Sequence, residues 1–101
     1  MLNYEIDGGV LTVHLQSELD HSSAGGLRGE LDKLIADKRI RHLVFDLSRL
    51  EFMDSSGIGL VIGRYRQMTR RGGRVSVKNA DKRIDRLFQM SGVYKLVDRM
   101  A

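Results

Sequence analysis

One feature limits the fold more than any other: a dense apolar run, His42–Leu47 (HLVFDL), leads past the stretch DSSGIGL (Asp54–Leu60) into apolar positions at helical spacing. A short run of this kind reads as a central strand covered on both faces. From Ile58 onward, Val61, Ile62, Tyr65 and Met68 fall on one helical stripe. Arg70, Arg71, Gly72 and Gly73 close that helix with cations and a glycine that tolerates the left-handed region. A strand that feeds a helix, with another alternating run at Arg74–Lys78 (RVSVK) beyond it, requires a crossover connection and parallel strands.

The flanking segments fit that plan. Tyr4–Ile6 and Val10–Leu15 read as two short strands, joined by Gly8-Gly9, which supplies the positive φ of a two-residue hairpin loop. Ala24, Leu27, Leu31, Leu34 and Ile35 recur at helical spacing, with Ser22 or Ser23 placed as the cap and an end near Asp37. Gly25, Gly26 and Gly29 each weaken that helix by roughly 0.5–1 kcal/mol relative to Ala, so packing must hold it. Ile84, Leu87 and Phe88 mark a third helix, capped by Asn79 or Asp81 and stopped by Gly92, and Val93–Val97 offers a last short element. The expected architecture is an α/β domain spanning residues 1–101, with a mixed sheet that opens as an antiparallel hairpin, continues in parallel, and carries helices packed on it. A chain of 101 residues, 42% of them apolar, supplies one modest core.

Several chemistries find no support. Without cysteine there is no disulfide, thiolate metal site or cysteine nucleophile. The three histidines lack metal-ligand spacing, and neither a P-loop nor a G-x-S-x-G elbow is present, so no enzyme activity, metal or cofactor is expected. No apolar run approaches the roughly 18 residues of a membrane span, and MLNYEIDGG lacks a signal-peptide layout, so a soluble protein with no membrane partner is expected. Seventeen Lys and Arg against thirteen Asp and Glu give a formal charge of +4, gathered in Arg64–Arg74 and Lys78–Arg86. These runs read as solvated helix faces; nucleic-acid binding by Arg64, Arg66, Arg70 and Arg71 is a distant alternative, because the aromatic residues do not interleave with them.

DSSGIGL lies at the entry to the second helix, where N–H groups are unpaired and the dipole is positive. A serine there either caps the helix or, once phosphorylated, sets its oxygens against the amides of Gly57, Ile58 and Gly59. Gly57 and Gly59 weaken a helix start but let another surface come close. Leu60, at 100° per residue, points with Ser56, Gly63 and Gln67 away from the apolar stripe, which predicts a flat exposed face centred on Leu60.

Three blocks carry a family resemblance: ELDH (Glu18–His21), IRHLVFDLSRLEFMDSSGIGLVIGRYRQM (Ile40–Met68) and DRLFQMSGVYKLV (Asp85–Val97). On these, spanning nearly the whole chain, the sequence resembles the anti-anti-sigma factors of spore-forming bacteria, the small single-domain members of the STAS family. The resemblance implies a cytoplasmic sporulation regulator without catalysis of its own. It implies binding to an anti-sigma factor that is also a serine kinase loaded with ATP or ADP, with release of the sigma factor held there and activation of transcription. By the same matching the phosphorylated residue is Ser55, which follows the motif's aspartate, while Ser56 is its unmodified neighbour. A PP2C-type phosphatase reverses the modification. The implied partner-facing set is Asp20, His21, Asp54, Ser55, Ser56, Gly57, Gly59, Leu60 and Gly63. Since the sequence stops at Ala101, a C-terminal helix carried by some members is expected to be short or missing. The alternative within the family is an adaptor that antagonises another regulator or serves in a larger signalling assembly.

Overall fold

The computed structural model describes residues 2–100; Met1, and Ala101 with any C-terminal helix, lie outside the described residues. Strand β1 (Asn3–Asp7) turns back antiparallel into β2 (Val10–Leu19). Gly8 and Gly9 hold φ of +58° and +83°, the left-handed pair that a tight hairpin loop demands. Helix α1 (His21–Ile35) leads to β3 (His42–Met53), α2 (Ser55–Arg70) to β4 (Arg74–Lys78), and α3 (Lys82–Ser91) through a 3₁₀ turn (Val93–Lys95) to the short β5 (Asp98–Arg99). The sheet order is β1-β2-β3-β4-β5, with every pair after the hairpin parallel.

Three right-handed crossovers that advance in one direction across a sheet place their helices on one face. The core follows from this: Leu11 and Val13 of β2, Leu43 and Phe45 of β3, and Val75 and Val77 of β4 pack in one cluster with Leu31, Val61, Met68, Ile84 and Phe88 of the helices. Strand β3 is therefore covered by helices on one face only, not both. Val44 is buried yet stands outside that cluster, and the face it shares carries His14, His42, Asp46 and Ser76. Side-chain hydrogen bonds close that polar face. His14 Nδ1 lies 2.7 Å from Asp46 Oδ2 and its Nε2 2.7 Å from Glu5 Oε2, and Asn79 Nδ2 donates to Asp46 Oδ1 at 2.9 Å. His42 Nε2 and Ser76 Oγ lie 2.7 Å apart.

The helix ends differ in detail from expectation. Asp20, not Ser22 or Ser23, caps α1: its Oδ1 accepts from the amides of Ser22 and Ser23, and the Asp20 amide donates back to Ser23 Oγ at 3.0 Å. Asp81 caps α3 by accepting from the Ile84 amide, and Gly92 ends it. β3 runs on to Met53, past the expected Leu47, because it stays paired with β2, and the extra β3 residues at two register shifts return Leu50 and Met53 to the inward face.

Candidate functional site

The parallel register aligns Leu19 at the end of β2 with Met53 at the end of β3, and the Asp54 amide donates to the Leu19 carbonyl at 3.3 Å. The next residues, Asp20 and Asp54, are thus the caps of two successive helices, side by side at the carboxyl edge of the sheet. Asp54 Oδ1 accepts from the Ser56 amide at 2.8 Å. The cap of α2 is therefore a carboxylate, and neither serine hydroxyl is needed for it.

Ser55 is the first residue of α2 and exposed; Ser56 is half-buried. The amides of Gly57 and Ile58 both donate to the Asp54 carbonyl, at 3.0 and 3.3 Å. They are engaged within the helix, so the expected seat for a phosphate on the Gly57, Ile58 and Gly59 amides is not open there. A group attached at Ser55 points to solvent beside the Asp54 carboxylate instead.

The helix phase also differs. Leu60 is 1% exposed and belongs to the core, so it is not the centre of a docking face. The buried residues of α2 are Gly57, Ile58, Leu60, Val61, Arg64 and Met68. Ile58, Val61 and Met68 of the expected stripe are in the core with Ile62 and Tyr65 half-buried beside it, and Gly57, Leu60 and Arg64 widen it on the side the apolar count skipped. Gly57 is buried because an added Cβ would meet Met53 Cγ at 2.5 Å and Leu19 Cγ at 3.0 Å. It sets how close the helix lies to the two strand ends. The outward stripe runs through Ser55, Gly59, half-buried Gly63 and Arg66, and an added Cβ at Gly59 or Gly63 meets nothing within 4 Å. His21, the first residue of α1, is exposed beyond Asp20. Of the expected set, Asp20, His21, Asp54, Ser55, Ser56, Gly59 and Gly63 keep solvent exposure on this edge; Gly57 and Leu60 do not.

Two of the four arginines considered for nucleic acid are taken up internally. Arg64 is 6% exposed, with Nε 3.3 Å from Asp32 Oδ1. Arg71 donates to the carbonyls of Ile35, Asp37 and Ile40 at the end of α1. Arg66 and Arg70 stay exposed, one turn apart on α2. No group of three or more metal-ligating side chains occurs among the described residues, and no described helix is long and apolar enough to cross a membrane.

Comparison with known proteins places this geometry in context. The STAS domain family model matches residues 1–101. The chain is 39% identical over 89 residues to the anti-sigma F factor antagonist of Paenibacillus polymyxa, a match covering 88% of this chain and 76% of that protein. Its fold superposes on the unphosphorylated form of the anti-sigma factor antagonist SpoIIAA with a TM-score of 0.79 and 27% identity, covering 100% of this chain and 88% of the other. The phosphorylated form of the Bacillus cell fate determinant SpoIIAA gives a TM-score of 0.78 at 28% identity, covering 100% and 92%.

Proposed function

Because the chain belongs to the STAS domain family, we propose that it is an anti-sigma factor antagonist whose docking is switched off by phosphate on Ser55. Its partner is an anti-sigma factor, as the name of the Paenibacillus relative states for that protein. In this reading the anti-sigma factor is also the serine kinase that uses ATP on Ser55, a PP2C-type phosphatase resets the switch, and the exchange takes place in the cytoplasm. The protein itself performs no catalysis.

The observation that carries the proposal is an exposed Ser55 directly after Asp54, on the edge where the capping carboxylates Asp20 and Asp54 follow paired strand ends. A phosphoserine adds about −1.5 to −2 charge and a strongly hydrated group. Burying it under a partner that already covers two carboxylates costs free energy unless a cation is supplied. Meanwhile the N-terminus of α2 stabilises an anion in the free protein through its dipole, so the switch needs no refolding. Near-equal similarity to both forms of SpoIIAA, with TM-scores of 0.79 and 0.78, supports a change of surface over a change of fold. The docking face in this reading is the edge formed by Asp20, His21, Asp54, Ser55 and Ser56, continued along α2 by Gly59 and Gly63, whose missing side chains admit a partner's backbone. Gly57 and Leu60 act from beneath by fixing the helix on the sheet.

Incubation with the anti-sigma factor of the same organism and ATP, followed by intact mass and fragment mapping, tests the switch. One phosphoryl group is expected on wild type and on Ser56→Ala, none on Ser55→Ala, and the phosphorylated protein should lose its affinity for the anti-sigma factor. Phosphate retained in Ser55→Ala, or unchanged affinity after modification, would overturn the proposal.

A further inference from the structure

Strand β1 begins at Asn3, opposite His14, so β2 from Gln16 to Leu19 has β3 on one side and no strand on the other among the described residues. A cavity of about 600 Å³ opens between that free stretch of edge and the first half of α1. Leu15, Leu19 and Leu27 line it, Gly26 forms part of its wall, and the exposed carboxylates of Glu18 and Glu30 stand in it. No Lys or Arg contributes to this lining, in a chain that carries 17 of them.

Two features of the groove have no use inside the molecule. Gly26 lowers the stability of α1, yet an added Cβ there would meet nothing within 4 Å, so internal packing does not ask for it. The free stretch of β2 is also irregular: Ser17 stands at φ +62°, and the pairing slips between His14 and Gln16 and between Ser17 and Glu18, where β3 carries the extra residues. An edge bent in this way resists zipping with a second copy into one continuous sheet. It leaves room for a short segment that lies in the groove, with Gly26 open to close approach.

We propose that the groove between the unpaired end of β2 and the Gly26 side of α1 is a docking site for an extended basic segment of a partner protein. An apolar residue of that segment sits over half-buried Leu27, and its Lys or Arg side chains meet Glu18 and Glu30. The proposal does not rest on the switch at Ser55, though the groove adjoins that edge through Ser22 and Ser23, whose amides donate to Asp20.

A capped heptapeptide alternating Lys with Val or Leu, titrated into ¹⁵N-labelled protein, tests it against the same peptide with Glu in place of Lys. Expected are amide shifts confined to Leu15–Leu19 and the first half of α1, a response that weakens with salt, and silence from the acidic peptide. Gly26→Leu, whose Cβ meets no atom within 4 Å, and the double change Glu18→Gln with Glu30→Gln should each weaken binding roughly tenfold while the fold persists. Shifts elsewhere or none, an equal response to the acidic peptide, or shifts at Gln16–Leu19 that grow with the concentration of the free protein alone would overturn it. The last result would assign the groove to a second copy of this chain.

Discussion

Alanine at Gly57 would bring a Cβ to 2.5 Å from Met53 Cγ and 3.0 Å from the branch point of Leu19, two side chains held at paired strand ends. Overpacking takes about 1–3 kcal/mol and better helix propensity returns about 1 kcal/mol, so Gly57→Ala should destabilise the protein by up to about 2 kcal/mol. Gly59→Ala meets no atom within 4 Å and should stabilise it by up to about 1 kcal/mol. Urea denaturation of the two variants measures both signs, and a destabilised Gly59→Ala would show that the helix start is strained in some other way. At this scale the sequence was legible where chemistry is local. The positive φ of Gly8-Gly9 and the stop at Gly92 follow from residue type alone. Leu60 was not legible, because the face of a helix was judged from apolar side chains. Gly57 is buried for want of a side chain and Arg64 is buried as an ion, so neither entered the count.

That buried arginine matters most between elements. Arg64 of α2 reaches Asp32 of α1 at 3.3 Å without hydrogen-bond alignment, and its Nε and Nη1 have no hydrogen-bond partner. Removing the carboxylate leaves a buried cation uncompensated, whereas replacing the arginine with an apolar side chain removes the problem. Asp32→Ala should therefore cost about 1–3 kcal/mol, and Arg64→Met should cost less or stabilise, as chemical denaturation will read. Equal losses from both would mean that the pair itself holds the two helices together. Alternation of strands and helices was readable from periodicity, since each element spans enough residues for its spacing to tell. The second half of β3 was not. After Leu47 its inward residues are only Leu50 and Met53, too sparse for strict alternation, and pairing with β2 is what keeps the chain extended.

Across the whole molecule, stability should follow the polar face of the sheet as pH changes. Hydrogen bonds to Glu5 first and Asp46 second raise the pKa of His14. Its contribution is fully present below the unfolded value of about 6.5 and is lost as pH rises through the folded one. Burial works to raise Asp46, but hydrogen bonds from Asn79, His14 and Ser48 outweigh it and hold the carboxyl at about 2. That contribution is present above about 3.9 and fades as pH falls towards about 2. His42 opposes His14: burial, then the charge of Arg74, lowers its pKa against a smaller pull from Asp98, so protonating it below about 6.5 favours the unfolded chain. Melting temperatures of wild type, His14→Gln and His42→Gln between mildly acidic and mildly alkaline pH separate the two. His14→Gln should lose the alkaline decline, and His42→Gln should gain stability on the acidic side; parallel curves for all three would refute this assignment. The sheet's polar face also bounds how the molecule moves. β4 pairs with β3 only over His42–Asp46, so beyond Asp46 the sheet narrows to the two-stranded ribbon of Gln16–Leu19 with Arg49–Met53. Asp20 and Ser55 ride on the tip of that ribbon. With fewer neighbours to hold it, the tip opens at lower free energy than the five-stranded body and can bend as a unit. A surface that docked on this edge would tilt it to fit its own contour while the core stays closed, so the stiffness of the edge is set apart from the stability of the fold.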